Sequence, residues 1–251
     1  VGFPHYEEMI DRITQLKEVR AASPVIRTFG LVNIYNDIRR GVQVIALRDD
    51  CTEVNGFAHS LNTRKDATTD LFALRPDVNY ELYKPPRFKG DPRSWPGMIV
   101  GAGVIGIRKN EQGVLQRPVT VMYHAWVRLT LLPISPYSAT IDVGGKAEEQ
   151  FWIVDDSRTQ VYQYDSETVY APFDVVQRML NMNESSYEDV ETGEKRTEPA
   201  RTSEIQIAAR PGADLDAVRD KVEQIANTVR LRRGMGFQFP IRVETWEQTN
   251  A

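Results

Sequence analysis

The chain has 251 residues, 41% of them hydrophobic, enough to bury a sizeable core in one or two domains. Its net charge of −4 argues against a nucleic-acid binder: there is no basic stripe, and its ten tyrosines and nine phenylalanines are not interleaved with Lys/Arg runs. The single cysteine, Cys51, excludes an internal disulfide and any multi-cysteine metal site.

Tyr6–Val19 reads as an amphipathic helix. Tyr6, Ile10, Ile13, Leu16 and Val19 recur at helical spacing, and Pro4 suits its start. Ala21–Tyr35 reads as a long strand interrupted near Pro24 and Gly30. A turn at Asn36–Gly41 and a strand at Val42–Leu47 follow, giving an opening α-β-β unit. Arg48–Arg93, with Pro85-Pro86 and Gly90-Asp91-Pro92, reads as loops with short elements. The longest apolar run, Gly97–Ile107, is too short and glycine-rich to cross a bilayer, which takes about 20 apolar residues. No signal peptide is visible and the chain begins at Val1, which reads as a trimmed or processed product.

Three strand-like runs come next, at Val119–Arg128, Leu129–Leu132 and Phe151–Val154. Between the last two lies a turn-rich stretch. Within it, Pro133–Gly145 places Ile134, Pro136 and Tyr137 in a loop that either projects as a partner contact or folds back over the sheet. From Phe151 to Leu180 the order is an apolar strand, a polar tyrosine-rich turn, a second strand and a short helix at Asp174–Leu180. Trp152, Tyr162, Tyr164 and Tyr170 are candidates to brace adjoining strands. Asn181–Ala200 is polar and acidic and reads as an exposed loop or hairpin tip. Ser203–Arg210 alternates like a strand. Asp214 then caps a helix striped by Leu215, Val218, Val222, Ile225 and Val229, ended by Gly234 or Gly236. Ile241–Trp246 reads as a further strand, completing a β-α-β unit.

The sharpest chemical motif is GAGVIG, Gly101–Gly106, which matches the G-x-G-x-x-G pattern. There, glycines let a backbone approach a pyrophosphate at a helix N-terminus, as in flavin- or nicotinamide-dependent oxidoreductases. Only Ile107–Gln112 precede Gly113, too few for the following helix, and no acid ends the next strand where a ribose would bind. The alternative is a tight apolar turn packed on the sheet. His5, His59 and His124 lack partners at metal-ligand spacing, and no serine sits in a G-x-S-x-G elbow. Asp155, Asp156 and Asp165 read either as paired acid–base carboxylates or as caps and turn residues at strand ends. No catalytic, cofactor or metal residues are expected.

Four pieces occur in the order found in FtsX-like ABC transporter permeases, the group that includes LolC/LolE and MacB. VRAASPVIRTFGLV (Val19–Val32) resembles the family's V-x-x-A-x-P strand. VQVIALRDD (Val42–Asp50) resembles the strand before a G-[IV]-D-P turn, whose Gly and Pro are absent here. PGMIVGAGVIGIRKNEQG (Pro96–Gly113) is similar to G-x-[IV]-[IV]-G-x-x-[LA]-A. Phe151–Leu180 is similar to a segment ending Y-E-Y-D-x-x-x-V-Y-x-P-L-x-x-A-Q, with Tyr164-Asp165-Ser166, Val169-Tyr170, Pro172 and Gln177 in place. Beyond these four, Val243–Asn250 resembles the family's tryptophan-bearing last strand.

The resemblance implies an α+β fold. A porter-like α/β subdomain would form from 1–50 and 201–251, with a β-rich sabre-like subdomain, 51–200, inserted. It implies no enzymatic activity but mechanotransmission on the periplasmic face of the cytoplasmic (inner) membrane, serving lipoprotein release or efflux. The implied partners are a cytoplasmic ATPase, a second permease copy or paralogue, and a periplasmic chaperone, adaptor or lipoprotein. In the lipoprotein-releasing branch a loop hooks the chaperone, and Ile134, Pro136 and Tyr137 lie at a comparable place.

Overall fold

The computed structural model describes residues 2–35, 38–109, 115–116, 123–131, 147–188, 195–235 and 241–249. Its main strands are β1 (Val19–Ile34), β2 (Ile38–Leu47), β3 (Gly97–Gly101), β4 (Trp126–Leu131), β5 (Ala147–Ser157), β6 (Thr168–Pro172) and β7 (Glu204–Ala209). The helices that matter are α1 (Tyr6–Ile13), α2 (Tyr162–Glu167), α3 (Phe173–Met179) and α4 (Leu215–Arg232). The fold is α+β.

The strands form one seven-stranded sheet in the order β7-β1-β2-β6-β3-β5-β4, and β4 pairs again with β1. Among the described residues, six strands therefore close into a ring, with β7 attached outside it. Closure is possible because β1 changes partner along its length. Val19–Val25 pair with β7, and Gly30–Ile34 pair with β4. The two interruptions expected in this strand are absent, for different reasons. Pro24 lies just before the β2 ladder, which starts at Val25 opposite Leu47, so its missing N–H breaks no bond on that side. Gly30 sits where β4 meets β1. A Cβ there would lie 2.7 Å from Leu131 Cδ2 and 3.0 Å from the Thr130 carbonyl oxygen. Strands from the expected end-built subdomain (β1, β2, β7) and the expected insert (β3–β6) share this one sheet.

Alternation along the strands gives the ring two faces. Val32, Ile34, Val44, Val100, Leu129, Phe151, Ile153 and Val169 are wholly or almost wholly buried in one cluster. That cluster runs on to the helices: α1 contributes Met9 and Ile13, α3 Val176, and α4 Val218, Val222 and Val229. Each such side chain contributes about 1.5–3 kcal/mol of transfer free energy. The opposite face presents Ile45, Leu47, Ile99, Trp126, Trp152, Val154 and Tyr170. The arm 48–95 covers it, burying Cys51, Leu61, Leu71, Tyr80 and Trp95 there. The arm has the short helical turns expected of it, such as Cys51–Val54, Phe57–Ser60 and Tyr80–Leu82. Trp152 stacks within 4.7 Å of Tyr80 and 5.0 Å of Trp95, and Tyr170 within 4.4 Å of Phe57.

Other elements either match the sequence expectation or depart from it in bounded ways. α1 stops at Ile13 because the Thr14 hydroxyl donates to the Ile10 carbonyl and the chain must turn into β1 by Val19. Arg128 and Leu129 lie in one continuous strand. The tyrosine-rich turn is helix α2. The polar tip is a hairpin, Ser185–Glu188 with Lys195–Glu198. Asp214 caps α4, accepting from the Asp216 and Ala217 N–H groups at 3.0 and 3.2 Å, and Gly234 ends it at φ 63°. Ile241–Trp246 is not a strand: 241–245 has no regular structure and Trp246–Thr249 is a short helix. Its apolar alternation serves packing, since Ile241 and Val243 are half-buried against the main core.

Cys51 is fully buried beneath the arm, and burial, followed by Asp50 and Asp49, pushes its thiol up to about 12. At pH 8 its reaction with a maleimide is expected to be at least about a hundredfold slower than in urea-unfolded protein. Labelling at the rate of a free thiol would show that the arm does not cover it.

Candidate functional site

The glycine motif follows on from β3 as a tight turn, and a short strand, Arg108–Lys109, comes directly after it. Its donors are already engaged. Ala102 N–H donates to the Ser157 carbonyl at 3.0 Å, Gly103 N–H to Asp165 at 2.7 Å, Val104 N–H to Gly101 at 2.9 Å and Gly106 N–H to Gly103 at 3.0 Å. The glycines serve the approach of α2. A Cβ at Gly101 would lie 2.5 Å from the Asp165 carbonyl oxygen, and one at Gly103 would lie 2.9 Å from Ser166 Oγ. The loop docks a helix and offers no cradle to a phosphate.

The three singled-out carboxylates lie along 155–165, and each holds backbone or a buried partner. Asp155, fully buried, accepts N–H bonds from Thr63 (3.1 Å), Arg64 (3.0 Å) and Asp156 (2.9 Å). Asp156, also fully buried, accepts from Arg158 Nε at 2.6 Å and from the Tyr123 hydroxyl. Burial and that bond to Asp156 push the Tyr123 hydroxyl up to about 12, so it stays a donor. Asp165 accepts from the Thr159 N–H and hydroxyl and from the Gln160 N–H, closing the turn before α2. These are latches and turn residues, as the second reading of them held. Asn62 N–H donates to the Asp156 carbonyl and Arg158 N–H to that of Ser60, so the end of β5 is the post to which the arm is tied.

The histidines lie apart in the fold. His5 precedes α1 in a left-handed conformation, and burial, then Arg233, lowers its pKa. His124 stacks on Tyr83 at 3.6 Å and is lowered by burial. His59 lies in the Phe57–Ser60 turn. No group of three possible metal ligands occurs among the described residues. Ile134, Pro136 and Tyr137 lie outside the described residues.

Two surface features remain. On α2, Tyr162 is 83% and Tyr164 41% exposed, beside exposed Val161. Of the aromatics expected to brace strands, Trp152 and Tyr170 do so, whereas these two tyrosines face solvent. The period-3.6 spacing of a six-residue helix is too short to reveal that in sequence. The second feature joins the two ends of the fold. Glu8 on α1 pairs with Arg12 at 3.2 Å, with Arg233 at 2.8 Å and with Arg232. Lys221 pairs with Glu18 at 2.6 Å farther along α4.

No family model matches the sequence, and no curated protein matches it either. Among solved structures, the fold is similar to the periplasmic region of MacB from Actinobacillus actinomycetemcomitans, with a TM-score of 0.42 and 8% identity over 91% of this chain and 75% of that one. It is also similar to the extracellular domain of the noncanonic ABC-type transporter YknZ from Gram-positive bacteria, with a TM-score of 0.43 and 8% identity over 94% of this chain and 86% of that one.

Replacing Gly101 with alanine drives a methyl into the Asp165 carbonyl. It is expected to cost about 1–3 kcal/mol in urea unfolding. Gly41→Ala, where a Cβ meets nothing within 4 Å, is the control and is expected to cost little. Equal losses at both positions would remove the docking role from the motif.

Proposed function

We propose that this chain is the extracytoplasmic domain of an FtsX-like ABC transporter permease, on the periplasmic face of the cytoplasmic membrane. It would act mechanically, without catalysis of its own. The observation that carries this reading is the clamp of Glu8 on Arg232 and Arg233. It ties α1 to the end of α4, a geometry that suits a domain whose two connections run to one place. The motifs between Val19 and Leu180 supply the family. No helix among the described residues is long and apolar enough to cross a membrane.

In this mechanism a cytoplasmic ATPase closes a pair of permease subunits, and each outer domain moves as a lever. A lever must not absorb the motion it transmits. A closed ring with a filled interior deforms little, so displacement at the clamped ends reaches the far surfaces. Differential affinity of a periplasmic partner for the two positions is what couples ATP hydrolysis to release or efflux. Ile134, Pro136 and Tyr137 are proposed to contact that partner, a chaperone, adaptor or lipoprotein.

Leu231→Cys places a thiol on an exposed position of α4, while native Cys51 stays buried and silent. In cells making the parent protein, a membrane-impermeant maleimide is expected to label Leu231→Cys before the cytoplasmic membrane is opened. Labelling only after lysis of that membrane overturns the location. Deleting Ser135–Thr140 is expected to abolish capture of the cognate chaperone without changing the unfolding midpoint. Undiminished capture removes the contact role of that loop.

A further inference from the structure

The outward face of the ring is covered at one row of residues and open at the next. Trp126 and Trp152 lie opposite each other on β4 and β5 and are roofed by the arm. Two residues along, Arg128 lies opposite Gln150, on the same face by strand alternation. Over this second row stands the Pro85–Phe88 turn, closed by a Phe88 N–H bond to the Pro85 carbonyl at 2.9 Å. Phe88 packs on Trp95 at 4.4 Å, and Trp95 on Trp152 at 5.0 Å, so the wall is braced from behind. Between turn and strands is a cavity of about 570 Å³. Its lining joins Pro85, Pro86, Phe88 and Trp126 to Arg87 and Arg128.

Three properties mark this cavity as a binding site. Its volume falls within the roughly 300–1,000 Å³ of small-molecule sites. Arg87 and Arg128 both line it and make no ion pair with described residues, on a chain whose net charge is −4. Gln150 also lines the cavity, a side chain whose Oε1 has no hydrogen-bond partner and whose amide can meet a polar group of whatever fills the space. Planar guanidinium groups match a carboxylate in paired hydrogen bonds.

The geometry points to a site for a small amphipathic carboxylic acid. An apolar or aromatic body lies against Phe88, Trp126 and the prolines, the carboxylate meets Arg87 and Arg128, and an N–H or O–H meets the Gln150 amide. The site does not depend on the transporter reading and makes no use of the Ile134–Tyr137 loop. Such a ligand would join the arm to β4 and β5, and so bind the folded arm selectively.

N-acetyl-L-phenylalanine has all three features and is the probe. Its binding to the intact chain is read by calorimetry and by shifts of the arginine Nε–H and tryptophan indole signals in a ¹H–¹⁵N spectrum. The acid is expected to bind at least about tenfold more tightly than either N-acetyl-L-phenylalaninamide, which lacks the charge, or acetate, which lacks the body. Arg128→Gln and Arg87→Gln are each expected to weaken it by about tenfold. Arg87 is exposed, so its variant keeps the test valid should Arg128→Gln unfold. Equal binding of the acid and its amide, equal binding of acetate, unchanged binding by Arg87→Gln, or no binding at about 10 mM would each overturn the site.

Discussion

The fold depends on β1 serving two neighbours on one edge. For its first half that edge belongs to β7, and for its second half to β4. The exchange happens next to Gly30, where the absence of a side chain lets β4 bring Leu129 and Leu131 against β1. Closing a sheet removes the unpaired edges that an open one must protect. It also turns the inward residues of six strands into an enclosed core. The face of β1 that lines this core continues beyond the ring at Ala22 and Ile26, and α1 and α3 pack against β1.

Closure leaves the outer face to be covered by other means, and the arm does this with little regular structure. Polar latches take the place of ladders. Asp49 accepts from the Asp70 and Leu71 N–H groups, and Asp155 from those of Thr63 and Arg64. The Arg64 guanidinium gathers the carbonyls of Asp70, Leu71 and Ala73 at 2.6–2.8 Å. Trp152 Nε1–H donates to the Pro92 carbonyl at 2.6 Å. Hydrogen bonds to charged groups contribute about 1.5–3 kcal/mol each, against the entropy of ordering a long irregular segment. Such a segment can open without the ring opening. Both the Cys51 thiol and the Pro85–Phe88 cavity wall ride on it.

The clamp of Glu8 on Arg232 and Arg233 ties α1 to the end of α4, beside the closed ring. The exposed tyrosines of α2 and the cavity under the Pro85–Phe88 turn are features open to a partner or ligand. The two buried carboxylates are engaged: Asp155 holds the arm at Thr63 and Arg64, and Asp156 holds Arg158 and Tyr123.

Several elements were legible in the residues themselves because their signals are local. The Asp214 cap and the stripe of Val218, Val222 and Val229 are buried as the spacing required, although Leu215 is exposed and Ala226 takes a place in the buried face. Apolar runs marked β2, β5 and β6, alternation marked β7, and the punctuation by Pro and Gly marked the arm as irregular. What the residues could not carry was which distant backbone each strand would meet. Pro24 and Gly30 look like strand breakers until β2 is seen to start after one and β4 to close against the other. Gly101 and Gly103 look like a phosphate loop until α2 is set against them. Ile241 and Val243 alternate like a strand but find no ladder partner. Periodicity and capping act within a few residues of chain and were determined by the sequence alone. Closure, close approach and pairing are agreements between segments tens to hundreds of residues apart, and only the tertiary structure decided them.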